Sequence, residues 1–265
     1  MTDETENEAG DEGSMAIVLL SGGIDSATCL ALATDHYDTI LPVHYNYGQQ
    51  TADFEQKQAN QLAREFRRRG NNILTVKVVE YKDVFSNFAG GVASDRDSFT
   101  TEDGDLEEDD GRSTGYVPMR NLHLIATGSA IADVNDADAV YHGMQQGDEA
   151  SYPDCRPAFK NAAERAVNES LADNVGISVR TPLLSRDKVE VIQLGEDRGV
   201  PWEYTYSCYE AIDGKAQPCG ECPACIERGE AFMIAGVTDP FGTPDAVKEN
   251  SPEAFEEILA KVNAR

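Results

Sequence analysis

A chain of 265 residues with 40% hydrophobic content is long enough for one large α/β domain and too apolar to be disordered throughout. Its 48 acidic residues against 22 basic ones give a net charge of −26, which argues against duplex or RNA as a direct partner, because nucleic-acid binders present a basic face. No apolar run approaches the roughly 18 residues of a membrane span, and the first fourteen residues lack the parts of a secretory signal, so a cytoplasmic protein without membrane contact is expected.

Two segments concentrate the acids. Residues 1–14 hold six and no base, and read as a disordered acidic tail. Residues 94–113 hold nine with two arginines, and read as a solvated insertion, a lid beside Tyr116 being the alternative. Elsewhere 33 acids still face 20 bases, so the acidity is spread widely. The spread suggests adaptation to a salty cytoplasm, where ionic strength screens self-repulsion; a merely acidic protein is the alternative.

Met15 to Leu20 is an apolar run suited to a buried parallel strand, and a helix follows over 24–33. Thr39 to Tyr45 forms a second strand, its middle weakened by Pro42. Residues 51–69 give a helix with Phe54, Ala59, Leu62, Ala63 and Phe66 at helical spacing. It ends in Arg67-Arg68-Arg69, which suits a helix C-terminus. Then come a strand over 73–79, a helix over 119–134, a strand over 139–142, a helix over 158–172, a strand over 177–180 and a helix over 187–198. A cysteine-rich turn, a helix near 223–235 and a short helix after Pro252 close the chain. The alternation predicts an α/β parallel sheet with helices on both faces and ligands at its carboxyl edge. It predicts one domain over 15–265, with a metal-binding segment over 205–230.

The loop leaving the first strand reads Ser21-Gly22-Gly23-Ile24-Asp25-Ser26. Paired glycines let backbone amides close on a phosphate, and the Ser21 and Ser26 hydroxyls add donors. Asp25 either caps the helix or holds Mg²⁺. The loop is neither GxxxxGK[ST] nor GxGxxG. Of six cysteines, Cys208, Cys219, Cys222 and Cys225 are spaced C-x10-C-x2-C-x2-C. That spacing predicts one structural Zn²⁺ held by four thiolates, with an iron–sulfur cluster as the rival. Cys155 reads as a packed small residue. His36, His44, His123 and His142 make neither HExxH nor a triad and receive no catalytic role.

Ser21–Ser26 resembles the pyrophosphate loop of the ATP pyrophosphatases, which implies a Rossmann-like (adenine nucleotide alpha hydrolase-like) fold. The resemblance also implies cleavage of ATP between its α and β phosphates. By that resemblance the ATP envelope comprises Leu20, Ser21, Gly22, Gly23, Ile24, Asp25, Ser26, Ala27, Thr28, Cys29 and Leu30. The stretches Ser21–Ser26, His44–Gln49, Val117–Asn121, Tyr152–Arg156, Thr181–Leu184 and the four cysteines occur in the order of the 7-cyano-7-deazaguanine synthases, over roughly residues 15–235. That resemblance implies conversion of 7-carboxy-7-deazaguanine, ammonia and ATP to the 7-cyano base, a precursor of queuosine and archaeosine, often by a homodimer. Motif membership gives Ser21, Asp25, Arg120 and Lys188 catalytic roles. It places Arg120, Asn121, Asp148, Asp154 and Arg156 on the substrate, with Arg120 or Arg156 on its carboxylate. Structural roles for Arg120, and an Arg156–Asp154 pair, are the alternatives. A tRNA-thiolation enzyme of the same superfamily, and a zinc-containing nucleotide-binding module without catalysis, are the competing functions.

Overall fold

The computed structural model describes residues 13–85, 117–149, 152–173, 175–209 and 218–250. The tail through residue 12, the insertion at 94–113 with Tyr116, the Asp148 side chain and the segment after Pro252 lie outside the described residues. Strands β1 (Met15–Leu19), β2 (Thr39–Asn46), β3 (Asn72–Ile73), β4 (Lys77–Glu80), β5 (Ala139–Tyr141) and β6 (Ser178–Arg180) form one parallel sheet. Its order is β3-β2-β1-β5-β6, with β4 continuing β3 along the flank of β2. The chain builds outward from β1 on one side and then resumes at β5 on the other. A switch point therefore opens between the carboxyl ends of β1 and β5.

Strand alternation divides the core. Ala16, Val18 and Leu20 face α1 (Ile24–Thr34), α2 (Ala52–Arg68), α6 (Lys188–Asp197) and α7 (Pro223–Ala235). Ile17 and Leu19 face α4 (Arg120–Asp133) and α5 (Pro157–Glu169). The short helices α3 (Lys82–Phe85) and α8 (Asp245–Asn250) carry no signal in the sequence reading. The arginine run is occupied at the end of α2, as its position predicts. Arg67 donates to the Ile73 carbonyl at 2.7 Å, and Arg68 and Arg69 pair with Glu65.

Two expectations about β2 and its neighbour are corrected together. Pro42 lies inside the sheet, opposite Val18, and the strand expected over 73–79 is broken into β3 and β4. The Val43 carbonyl accepts from Leu20 N–H on the β1 side, and the Ile40 carbonyl accepts from Leu74 N–H on the other. Alternation therefore turns Pro42 toward β3 and β4. The missing N–H of the proline falls where no strand spans Ile73 to Lys77, so no ladder bond is lost.

Arg228 on α7 is a buried tie that composition did not reveal. Its Nε and Nη2 donate to the two Asp239 carboxylate oxygens at 2.7 and 3.0 Å, and its Nη1 donates to Thr205 Oγ1 at 3.0 Å. The guanidinium stacks on Phe232 and Phe241, 4.8 and 5.0 Å from their centroids. One side chain thus joins α7, the strand-like run before Cys208 and the segment leading to α8. Removing it strands a buried carboxylate. Arg228→Ala is expected to lower unfolding free energy by about 3–5 kcal/mol in urea titration. Arg228→Lys should recover little, because one ammonium cannot reach Asp239 and Thr205 with the same fork. A loss below about 1 kcal/mol would contradict the assignment.

Candidate active site and metal centre

β1 delivers the chain into Ser21-Gly22-Gly23, and Gly22 turns it with φ 91°. A Cβ on Gly22 would stand 2.9 Å from the Glu55 carbonyl oxygen and 3.0 Å from Gln58 Cβ, so the loop lies against α2. Ser26 Oγ accepts from Gly22 N–H at 3.2 Å and donates to the Gly23 carbonyl at 3.1 Å. Ser21 Oγ accepts from Gly23 N–H at 3.3 Å, and the two hydroxyls are 3.1 Å apart. No side-chain cap hydrogen bond neutralises the positive N-terminal end of α1. Cys29 and Thr28, within the expected ATP envelope, are fully buried inside α1. Burial first, and then Asp25, raises the Cys29 thiol well above its ordinary range, leaving it protonated and inert.

Asp25 is in the first turn of α1 and does not cap it; its oxygens accept from Lys188 Nζ at 2.8 and 3.0 Å. The two residues are joined by local structure on both sides. Leu183 of the Thr181–Leu184 turn is fully buried and anchors the approach to α6. Asp187 and Glu190 then form a capping box, Asp187 Oδ1 accepting from Glu190 N–H at 2.8 Å and Glu190 Oε2 from Asp187 N–H at 3.0 Å. Lys188 is the residue immediately after that cap, and its direction is set by it.

A second cluster forms at the start of α4. Met119, the N-cap, holds a left-handed conformation at φ 57° while 60% exposed, a strained entry that orients Arg120. Arg120 hydrogen-bonds Tyr47 and lies 5.6 Å over the Tyr152 ring. Burial opposes its charge, but Tyr47, Tyr152, Asp154 and Cys155 outweigh that penalty and raise the guanidinium above its usual range. Asn121 and Asp154 meet each other. Asn121 N–H donates to Asp154 Oδ2 at 3.0 Å, and Asn121 Nδ2 donates to the Asp154 carbonyl at 3.1 Å and to Cys155 Sγ at 3.2 Å. The Asp154 carboxylate thereby occupies the N-terminal end of α4. Arg156 is exposed at the N-cap of α5.

Two histidines given no catalytic role by the sequence stand at the same carboxyl edge. His44 Nδ1–H donates to the Leu20 carbonyl at 3.1 Å, and its Nε2 has no partner among the described residues although the ring is 1% exposed. His142 follows β5, and its Nδ1 accepts from Met144 N–H at 3.1 Å. Burial and then Arg120 push His142 down to about 4, so it is neutral at pH 7. The next residue, Gly143, packs on the start of α1: a Cβ there would lie 3.2 Å from Asp25 Cβ and Ser26 N. His142 and Gly143 thus bridge the Arg120 cluster and the Asp25–Lys188 pair.

The four cysteines converge. All their sulfurs lie within 4.8 Å of one another, with Cys208–Cys219, Cys219–Cys225 and Cys208–Cys222 at 3.5, 3.8 and 3.9 Å. A tetrahedral ion with metal–sulfur bonds of about 2.3 Å requires edges of about 3.8 Å. Backbone amides of Cys219, Glu221 and Cys222 donate to the sulfurs of Cys208, Cys219 and Cys219 at 3.4, 3.4 and 3.3 Å. A hydrogen bond with Cys208 raises the Cys222 thiol to about 11, and hydrogen bonds with Cys208 and Cys222 raise Cys225. Thiols raised in this way ionise only around a cation. The donor set fits one tetrahedral metal ion with no open position.

The family model described as "Queuosine biosynthesis protein QueC" matches residues 15–236. The 7-cyano-7-deazaguanine synthase of Methanospirillum hungatei is 36% identical over 229 residues, covering 85% of this chain and 98% of that protein. The protein of the same name from Halobacterium salinarum is 36% identical over 226 residues, covering 85% and 94%. Among solved structures, the U34-tRNA thiolase NcsA from Methanococcus maripaludis covers 96% of this chain and 72% of its own, at a TM-score of 0.43 and 15% identity.

Two outcomes follow from this geometry. Cys222→Ser should abolish stoichiometric metal binding and lower the thermal midpoint, and a chelator should do the same to the wild type, as read by metal release and circular dichroism. A variant that keeps both full metal content and its midpoint would contradict the site. For His142, whose folded pKa lies below the unfolded value of about 6.5, the stabilisation is complete above pH 6.5 and is lost as pH falls toward 4. The loss is about 2–3 kcal/mol over that window. Urea unfolding at pH 7 and pH 4.5 should show a smaller acid loss in His142→Gln than in the wild type; equal losses would refute it.

Proposed function

The chain belongs to the QueC family of queuosine biosynthesis proteins, and we infer from that membership that it converts 7-carboxy-7-deazaguanine and ammonia, with ATP, into 7-cyano-7-deazaguanine. The observation that carries the residue-level reading is the meeting of Lys188 and Asp25 at the uncapped N-terminus of α1. Neither a carboxylate nor an amide oxygen leaves in water, so each must be activated. In the proposed sequence a carboxylate oxygen attacks the α-phosphorus of ATP and pyrophosphate departs. Ammonia then displaces AMP to give the amide. The amide oxygen attacks a second ATP, and loss of AMP with the two N–H protons gives the nitrile.

The residues divide that work. Ser21, Ser26 and the α1 N-terminus are assigned the phosphates, the Gly22 and Gly23 amides being held by the two hydroxyls, and Lys188 balances the charge on departing pyrophosphate. Asp25 would exchange its lysine partner for Mg²⁺ when the nucleotide binds. Arg120 is assigned the substrate carboxylate; Asn121 and Asp154, already bonded to each other, support it and leave direct substrate contact to their neighbours. Arg156 and Asp148 remain candidates for the base. The cysteine set is assigned one structural Zn²⁺, held by Cys208, Cys219, Cys222 and Cys225. The spread of acidic residues supports function at high salt. Among the described residues no helix is long and apolar enough to cross a membrane. The name shared by the curated relatives favours the synthase over thiolation or a non-catalytic module.

The direct test incubates the protein in concentrated potassium chloride with ATP, Mg²⁺, ammonium and the 7-carboxy base, with mass detection of amide and nitrile. Both products are expected in turn. Ser21→Ala and Lys188→Ala should lower kcat by about 10²–10³ with an unchanged folded spectrum. Absence of nitrile together with sulfur transfer to tRNA would overturn the reading, and full activity in Lys188→Ala would remove that residue from the site.

A further inference from the structure

We propose that Tyr206 is a positioning residue that couples the four-cysteine site to the glycine loop, so that metal occupancy and nucleotide affinity are linked. The Tyr206 side chain is 5% exposed, and its hydroxyl hydrogen-bonds Cys208 Sγ, one of the four converging sulfurs. Its main-chain N–H donates to the Gly22 carbonyl at 2.9 Å, within the loop itself. Its own carbonyl lies 3.6 Å from where a Cβ on Gly23 would stand, so it also lines the second glycine. Its ring lies 4.4 Å from the ring of Phe54 on α2, the helix against which Gly22 packs.

Tyr206 is therefore held from four directions and has little room to absorb a displacement. On the upstream side Thr205 is fixed by Arg228; on the downstream side the chain enters Cys208 after one residue. A metal-bound sulfur is an anionic acceptor for the phenol, and an unliganded thiol is a weak one. Hydrogen bonds to ligating atoms orient the ligands and tune the metal. Gly22 carries no side chain, and its loop position depends on main-chain bonds and contact with α2. A shift of Cys208 is thus passed through Tyr206 to the carbonyl of Gly22, and from its amide to the Ser26 hydroxyl beside Ser21. Because binding couplings are reciprocal, a nucleotide at the loop must perturb the metal as much as the metal perturbs the nucleotide.

The proposal rests on the reading of Ser21–Ser26 as a nucleotide loop, and the test separates the two. Cobalt(II) replaces the native ion as a spectroscopic probe, and the protein is titrated with α,β-methylene-ATP while affinity is followed by calorimetry. In the wild type the sulfur-to-cobalt absorption is expected to shift with nucleotide, saturating at the calorimetric Kd. Tyr206→Phe keeps the ring and loses the hydroxyl. It should retain one cobalt per chain, bind the analogue about 5–50-fold more weakly and show no spectral response. A wild type that binds the analogue with no change in the cobalt bands overturns the coupling alone, whether or not the variant folds. Unchanged affinity and an intact spectral response in Tyr206→Phe remove the residue from it. A wild type that does not bind the analogue overturns the loop reading instead.

Discussion

A tight glycine turn at the edge of a sheet has no side chain to fix it, so its backbone has to be held from behind. At Gly22 the Glu55 carbonyl and Gln58 stand too close to tolerate a Cβ, Ser26 takes the amide, and Tyr206 takes the carbonyl. Each support comes from a different part of the chain. α2 gives the floor, α1 the hydroxyl, and the run before Cys208 the lateral bond. The parallel sheet is what brings these together, because its carboxyl edge collects the loops after β1, β2, β5 and β6. Arg228 then matters at a distance: it fixes Thr205, beside the residue that holds Gly22.

The charge of the whole chain gives this edge its contrast. A net charge of −26 repels an anionic ligand at long range, and salt shortens that range. At contact distance the local groups decide. Gly143 packs against Asp25, the partner of Lys188, and the neighbouring His142 stays neutral, first through burial and then because Arg120 is close. A second cation there would have to be desolvated beside the first. The neutral imidazole keeps the positive charge on two fixed side chains, where hydrogen bonds direct it.

Much of the architecture was legible because it rests on periodicity: the apolar run into β1, the helical spacing of α2 and the alternation of strand and helix. The glycine loop and the four cysteines were legible for another reason, since their chemistry requires local spacing. What failed to show was tertiary. Pro42 read as a flaw in β2 until the gap between β3 and β4 appeared beside it. Asn121 and Asp154 stand in separate motifs, and their mutual bonds are visible only across a separation of 33 residues. Tyr206, Arg228 and His142 belong to no spacing pattern, and the stretch that begins at His44 does not show what its ring meets. Their roles depend on carbonyls, sulfurs and charges contributed by remote segments, which no single window of sequence displays.

Two successive activations place an unusual demand on Arg120 in the proposed reaction. The first substrate carries a carboxylate and the second a neutral amide at the same carbon. A bare guanidinium would favour the acid strongly and release the amide before the second ATP arrived. Arg120 is not bare: Asp154 lies close enough to raise its pKa, Tyr47 is hydrogen-bonded to it, and Tyr152 offers a ring face. Part of its charge is already balanced, so the difference between an anionic and a neutral oxygen is reduced. What persists through both steps is direction, since a planar fork with a fixed stack presents the same N–H donors to either oxygen. Next to it in the chain, Asn121 bonds Asp154 through both its backbone and its side chain, which pins the start of α4 where Arg120 sits.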